Sequence, residues 1–387
     1  MKRKIVWVII LIAFSIIIGV VYARNIIPDM INYPLRYDIA QDYIGARALV
    51  HHNEKLYPVL VTAFEKMGIT WQADHRSTHP PSAFLLVVPF TLFGYPLAQT
   101  FWMLSMFACI VITARAFSLN WKKSLLAAVL SLAWPPAIWS LGQFTPIWML
   151  GLALAYRFRH KPILSGLFIG LASLPKYFAA AAMIQPLWRR RWKALVSFAA
   201  VWLGAVALIL LLCPDALSAY AASNIGNSID QILRPDNGAL VVVAWRLGGW
   251  PGITAMIILV LCVLLAALRT EGPAAWGCLV WLSIATLPIA WVYSLLPLLP
   301  WLILTIKSAN MYPRLLALIA VVMPYLSAAW VPIANPWFVA LSIVFSGIAF
   351  ALAASKNNAV TFNQFVQRIK LVKKLPHPSL VNMTIDN

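Results

Sequence analysis

This sequence predicts an all-α, polytopic membrane protein, and three observations carry the prediction. Of 387 residues, 62% are hydrophobic and only 11% charged, a balance that a water-facing globule does not tolerate. Ile5 to Tyr22, Leu195 to Leu212, Ile253 to Leu268 and Phe338 to Ala354 are runs of roughly 16 to 19 residues, each nearly enough, at about 1.5 Å of helix rise per residue, to cross a hydrocarbon core of about 30 Å. Basic residues gather in short clusters at the ends of such runs: Lys2-Arg3-Lys4, Lys122-Lys123, Arg157 to Lys161, Arg189 to Lys193 and Lys370 to Lys374. That distribution is the positive-inside signal of membrane helices. Eighteen Trp and twelve Tyr suit many membrane–water boundaries.

Placing the basic clusters on the cytoplasmic side gives one self-consistent topology of about twelve crossings. Ile5 to Tyr22 exits, and with no small-x-small site before Asn25 it reads as a retained signal anchor. Residues 24–81 form a long external loop. Ser82 to Leu97, broken by Pro89, Gly94 and Pro96, reads as a half-embedded hairpin. Ala98 to Ala114 returns, Ser124 to Leu141 exits and Pro146 to Tyr156 re-enters. Between the next two basic clusters the chain must turn round, with Lys176 near the turn and arms of about 12 residues, or roughly 18 Å. Ala194 to Leu212 leads to a second external, polar loop, 213–238. Pro251 to Leu268, Ala275 to Ala290, Val292 to Ile306, Leu315 to Val331 and Trp337 to Ala354 then alternate. Residues 1–355 thus form one transmembrane domain. The basic tail, 356–387, is expected on the cytoplasmic side and, from Pro376-His377-Pro378 and its polar end, not to fold.

A formal charge of +19 raises nucleic acid as a partner, but clusters at helix ends attract anionic lipid headgroups instead. Cys109, Cys213, Cys262 and Cys278 are lone residues without CxxC spacing, which predicts neither a metal site nor a disulfide framework. No cofactor is expected. Nine of the eleven acidic residues fall in the two long external loops, Glu271 and Asp386 being the exceptions. Acidic residues do not direct topology, so their concentration has another cause.

In the first loop, Asp38 to Val50 has apolar residues at helical spacing, with Ile39, Tyr43, Ala46 and Val50 on one stripe. Asp38 and Asp42 then lie one turn apart on one side, where like charges cost a few tenths of a kcal/mol. Such a pair can serve as base, sugar ligand or metal ligand; alternatively Asp38 caps the helix and Asp42 is solvated. Asp74, His75 and His79 are metal-ligand types, as are His51-His52, but no pattern converges them and an ordinary solvated loop is the simpler reading. Gln143, between Pro135-Pro136 and Pro146, is placed to bond the carbonyls of a broken helix or a ligand. Lys176 is costly inside a bilayer, about 2.5–3.5 kcal/mol at a helix centre, so it snorkels, lines an aqueous cavity or meets an anion such as phosphate.

These motifs, in order, resemble glycosyltransferase family 87. Asp38-x3-Asp42-Tyr43-x-Gly45-Ala46-Arg47-Ala48-Leu49 followed by Leu56-Tyr57 is similar to its first-loop motif. His79-Pro80-Pro81 is similar to its Tyr-Pro-Pro, Gly142-Gln143 to its Gly-Gln-x-Asn, and Gly166-x3-Gly170-Leu171-x4-Lys176 before Trp188-Arg-Arg-Arg-Trp192 to its Gly-Leu…Lys segment. Asn224 to Ser228 resembles its second-loop Asn-x-Ser. The likeness runs from about Met1 to Pro300. Ile39 and Asp42 replace the family's Phe and Tyr, Thr145 stands near its missing Asn, and Tyr293 stands where some members carry His.

The resemblance implies a GT-C-like helix bundle in the inner membrane that moves a hexose, mannose at family level, from a polyprenyl-phosphate donor to an extracytoplasmic lipid or glycan acceptor. In that reading Asp38 is the general base, with Asp42 orienting the acceptor or sharing the role. Lys176 and Arg76 hold the donor phosphate, with Arg234 and Arg246 as alternates. Tyr43, His79, Gln143, Asn227 and Tyr293 are the candidates for sugar or acceptor binding. The competing class is a transporter or lipid flippase without chemistry, which predicts ionisable residues in several spans and repeat symmetry. Of these only Lys176 is present.

Overall fold

The computed structural model describes residue 20 and residues 38–51, 54–67, 76–308, 310–330 and 336–372. The expected first span, Ile5 to Tyr22 (apart from Val20), and His52, Asp74 and His75 lie outside the described residues. From residue 38 the chain runs through α1 (Ile39–Val50), α2 (Leu60–Glu65), α3 (Pro81–Val87), α4 (Tyr95–Ala116), α5 (Trp121–Ser131) and α6 (Pro135–Trp139). It continues as α7 (Thr145–Arg157), α8 (Pro162–Ser173), α9 (Ile184–Trp188), α10 (Trp192–Leu212), α11 (Ala216–Leu233) and α12 (Leu240–Arg269). The last four are α13 (Pro273–Ala285), α14 (Leu299–Ser308), α15 (Met311–Trp330) and α16 (Pro336–Val372). Turns of 3₁₀ helix at Val88–Leu92, Ser140–Gly142, Tyr177–Met183 and Val292–Leu298 join several of them. Among the described residues there is no strand.

Among the described residues, four helices are long and apolar enough to cross a membrane: α4, α10, α12 and the Pro336–Ser355 part of α16. A fifth span arises if α5 and the Pro135–Gly142 segment, bent by 95°, count as one broken crossing. The expected twelve crossings are not reached by this measure, because α8 and α13 have only 12 and 13 residues. Such helices extend about 18–20 Å. The outer faces are apolar. Leu203, Leu211 and Trp250 are each at least 70% exposed, which suits lipid rather than water.

The basic clusters at 157–161 and 189–193 share one end of the bundle. Arg191 donates to Glu271 Oε1 at 2.8 Å and to the Arg159 carbonyl at 2.7 Å, and Arg157 bonds Ser118 Oγ at 2.8 Å. Glu271, the internal acidic exception, is thus the counter-ion of a basic cluster. From that end α8 climbs to Lys176, while α7 descends from Gln143 to Arg157, so those two residues meet at the opposite end. Close packing makes the ascent possible: a Cβ on Gly166 would sit 2.0 Å from the Ala194 carbonyl oxygen of α10. The Gly-x3-Gly spacing is therefore a helix-contact surface.

Several expectations need correction. The loop 213–238 is mostly helix, because Ala216 to Leu233 contains no proline and carries apolar residues at helical spacing. The span expected from Pro251 starts earlier, at Leu240, and is kinked where Gly248 and Gly249 leave helical geometry, Gly249 with φ +55°. The tail does not lose its fold at Lys356, since α16 continues to Val372. Phe362, Phe365, Val366 and Ile369 recur there at helical spacing without Gly or Pro, so local propensity carries the helix on. In α1 burial is not confined to the apolar stripe: Ile39, Tyr43 and Ala46 are buried, but so are Gln41 and Asp42, and of the stripe Val50 at the helix end is exposed. The helix is enclosed nearly all round, and the alternative of a solvated Asp42 falls.

Candidate active site

The site grows from four chain reversals at the end of the bundle away from the basic clusters. First, Pro80 is extended and Pro81 opens α3, so the prolines end the loop sharply and present His79 just before the helix. Second, α6 and its 3₁₀ turn break the α5 crossing, and Gln143 stands extended before α7. Third, α8 ends at Ser173; Leu174 keeps helical φ/ψ, but Pro175 has no N–H to continue the ladder, and Lys176 after it is extended. Fourth, Trp291 precedes the 3₁₀ turn that carries Tyr293.

α1 lies against α3, with Gly45 at the contact: an added Cβ there would be 2.6 Å from the Phe84 ring. That approach brings Asp42, 1% exposed, to His79, whose Nδ1 is 2.7 Å from Asp42 Oδ1. Burial pushes the Asp42 carboxyl above its ordinary value of 3.8, the charge of Asp38 acts in the same sense, and His79 and Lys176 oppose it. The His79 backbone is held too, since Tyr57 donates from its hydroxyl to the His79 carbonyl at 3.0 Å. The Leu56-Tyr57 pair therefore supports the site rather than forming it.

Asp38 begins α1 but makes no side-chain cap bond to it. Its Oδ2 instead accepts from Gln143 Nε2. Gln143 is buried and its Oε1 has no protein partner among the described residues. Lys176 Nζ lies 5.2 Å from the centre of the Tyr293 ring, within cation–π range, and in electrostatic reach of Asp38 and Asp42. Arg234 forms a two-point pair with Asp236 at 2.9 and 2.8 Å, and its guanidinium lies 5.8 Å from the Trp291 ring. Beside this cluster opens a cleft of about 230 Å³. His79, Lys176, Asn224 and Tyr293 supply its polar wall, and Phe178, Ile232 and Trp291 its apolar one.

The structure thus brings together Asp38, Asp42, His79, Gln143, Lys176 and Tyr293, with Arg234 close by. Other candidates stand elsewhere. Tyr43 donates its hydroxyl to the Phe93 carbonyl at 2.6 Å and packs edge-on against Tyr95, so it anchors the hairpin. Arg246 reaches the carbonyls of Leu233, Arg234 and Pro235 and clamps the end of α11. Arg76 is partly buried three residues before His79. Asn227 lies on α11, but its side chain is not among the described parts. Among the described residues no three His, Cys, Asp or Glu side chains converge as a metal cluster would.

One organising residue escaped the sequence reading. Asn237 donates to the carbonyls of Ile232 and Pro288 and accepts from the amides of Ala239 and Ala290, all within 3.1 Å. It pins the second loop to the segment leading to Trp291 and Tyr293. Pro235-Asp236-Asn237-Gly238 is a turn signature, and that signal could have found it.

Compared with known proteins, the family model described as Glycosyltransferase family 87 matches residues 78–292, more than half of the chain. No curated protein and no solved structure matches significantly.

Proposed function

Because the chain belongs to glycosyltransferase family 87, and so is a membrane glycosyltransferase, we propose that it transfers a hexose, mannose for preference, from a polyprenyl-phosphate donor to an extracytoplasmic lipid or glycan. The observation that carries this reading is the meeting of two carboxylates, a histidine and a lysine beside one cleft, at the end opposite the basic clusters. By the positive-inside rule those clusters are cytoplasmic, which favours an inner-membrane protein of GT-C-like architecture with residues 24–81 and 213–238 outside.

The chemistry needs little acid help, because a phosphate leaves readily. Asp38, oriented by Gln143, takes the proton of an acceptor hydroxyl as its oxygen bonds the anomeric carbon. The bond from that carbon to the donor phosphate breaks, and its electrons leave on the phosphate oxygen. Attack opposite the leaving group inverts the anomeric centre. Lys176 faces the phosphate as a point charge, with Arg234 next in reach. The prenyl chain lies along the apolar wall, where broken helices are tolerated because they line a cavity.

The test is mass spectrometry of envelope glycolipids and glycans from cells with the gene intact, deleted or carrying Asp38→Asn. Loss of the same single hexose in the deletion and in Asp38→Asn supports both the activity and its base. Unchanged glycans, with a lipid or solute redistributed across the membrane, would sink the reading in favour of a transporter.

A further inference from the structure

The Asp42–His79 pair has no part in the transfer step above, yet it is built into the wall of the same cleft. His79 and Lys176 line that cleft together. Their spacing is fixed by a buried bond of 2.6 Å from Ser82 Oγ to the Leu174 carbonyl, joining the start of α3 to the end of α8. Asp42 is too deep to touch a ligand, and its hold on Nδ1 leaves Nε2 as the ring nitrogen available to the cleft. The side chain of His79 is 13% exposed, so the ring reaches the open space.

We propose that His79, carrying a proton secured by Asp42, is the second cation for the donor's phosphate beside Lys176, and that donor binding is therefore linked to a proton on this pair. The proposal rests on the glycosyltransferase reading and adds a ligand group and a pH dependence to it. Charge balance is the physical reason. Arg234 and Asp236 neutralise each other, and Lys176 offsets Asp38. Besides Arg76, whose charge does not change, what remains is the Asp42–His79 pair, neutral with one proton and −1 with none. A phosphodiester brings a further negative charge. At a partly buried site two like charges repel far more strongly than in water. The deprotonated pair and the phosphate consequently exclude each other, whereas the imidazolium and the phosphate attract.

Other groups facing His79 are accounted for. Arg76, on its own segment, carries the fixed charge of an arginine. The phenols of Tyr177 and Tyr293 stay neutral near pH 7, as does Tyr220, pushed up to about 12 by burial. Lys176 meets the same ligand, so its titration has to be separated from that of His79 by substitution.

The experiment uses the purified full chain in detergent, with polyprenyl phosphomannose and polyprenyl phosphoglucose as probes. Both are diesters without a second phosphate ionisation. Affinity is measured between about pH 5 and 8, the range in which a histidine side chain changes charge, for the wild type, His79→Asn, His79→Gln and Asp42→Asn. Proton uptake is read by calorimetry in buffers of different ionisation enthalpy. The expected wild-type affinity falls towards tenfold per pH unit as the pair loses its proton, with uptake rising towards one proton per donor. Both His79 variants bind about tenfold more weakly at the acid end, and the fall is absent there. Asp42→Asn changes the profile, because the ring has lost the carboxylate 2.7 Å from its Nδ1; an unchanged profile overturns the part given to Asp42. A His79→Asn variant that binds with the wild-type pH profile overturns the proposal and assigns the profile to Lys176. So does the absence of proton uptake by the wild type, a result that needs no variant to fold. Wild type that binds neither donor at any pH overturns the donor reading itself.

Discussion

Ser82 and Leu174, ninety-two residues apart, are joined by a buried hydrogen bond of 2.6 Å from hydroxyl to carbonyl. The bond occupies a carbonyl freed where α8 ends before Pro175, and it sets His79 at a fixed distance from Lys176. Ser82→Ala would leave that carbonyl buried and unpaired, at a cost of about 1–3 kcal/mol. A lowered thermal midpoint together with a raised donor KM is expected. A variant with wild-type KM would show that the two segments keep their spacing without the bond.

Gln143 donates to Asp38, and leucine matches its size without the donor. A hydrogen bond to a charged group contributes about 1.5–3 kcal/mol. If it aims the base, kcat in Gln143→Leu falls about tenfold to a hundredfold while KM changes little. An unchanged kcat in steady-state transfer assays would remove Gln143 from the machinery.

Asn237→Ala strips four hydrogen bonds at once and strands the backbone groups of Ile232, Pro288, Ala239 and Ala290. With about 1–3 kcal/mol for each buried group left unpaired, thermal unfolding should show a loss of several kcal/mol. Donor binding should weaken as well, because Trp291 and Tyr293 follow the pinned segment. Stability within 1 kcal/mol of the wild type, about the worth of one net hydrogen bond, would show the loop is held by other contacts.

Asp42 should make stability depend on pH. Its folded-state carboxyl titrates above the unfolded value of 3.8, chiefly because it is buried. Between those two points the native state holds a proton that the unfolded chain has lost. The resulting stability is fully present below 3.8 and is lost as pH rises through the folded value. Asp42→Asn removes the group, so the difference in thermal midpoint between wild type and variant should move in favour of the wild type as pH falls. A difference independent of pH would contradict the burial argument.

The membrane class, the long spans and the order of motifs around Lys176 were legible in the chain itself. Hydrophobic run length and the placement of Lys and Arg are local properties, and the bilayer converts them directly into spans. Asp38, Asp42, His79, Gln143, Lys176 and Tyr293 could be named for the same reason: charged, amide and proline-flanked residues stand out against an apolar background. Their partners could not. That Asp42 bonds His79, that Gln143 rather than a helix amide meets Asp38, and that Tyr43 and Arg246 turn to backbone carbonyls all depend on contacts across tens of residues or more. Such pairings are set by helix packing at positions like Gly45 and Gly166, where the absence of a side chain decides how near two backbones come. Periodicity along one strand of sequence specifies which residues share a face, and only the packed bundle decides what that face meets.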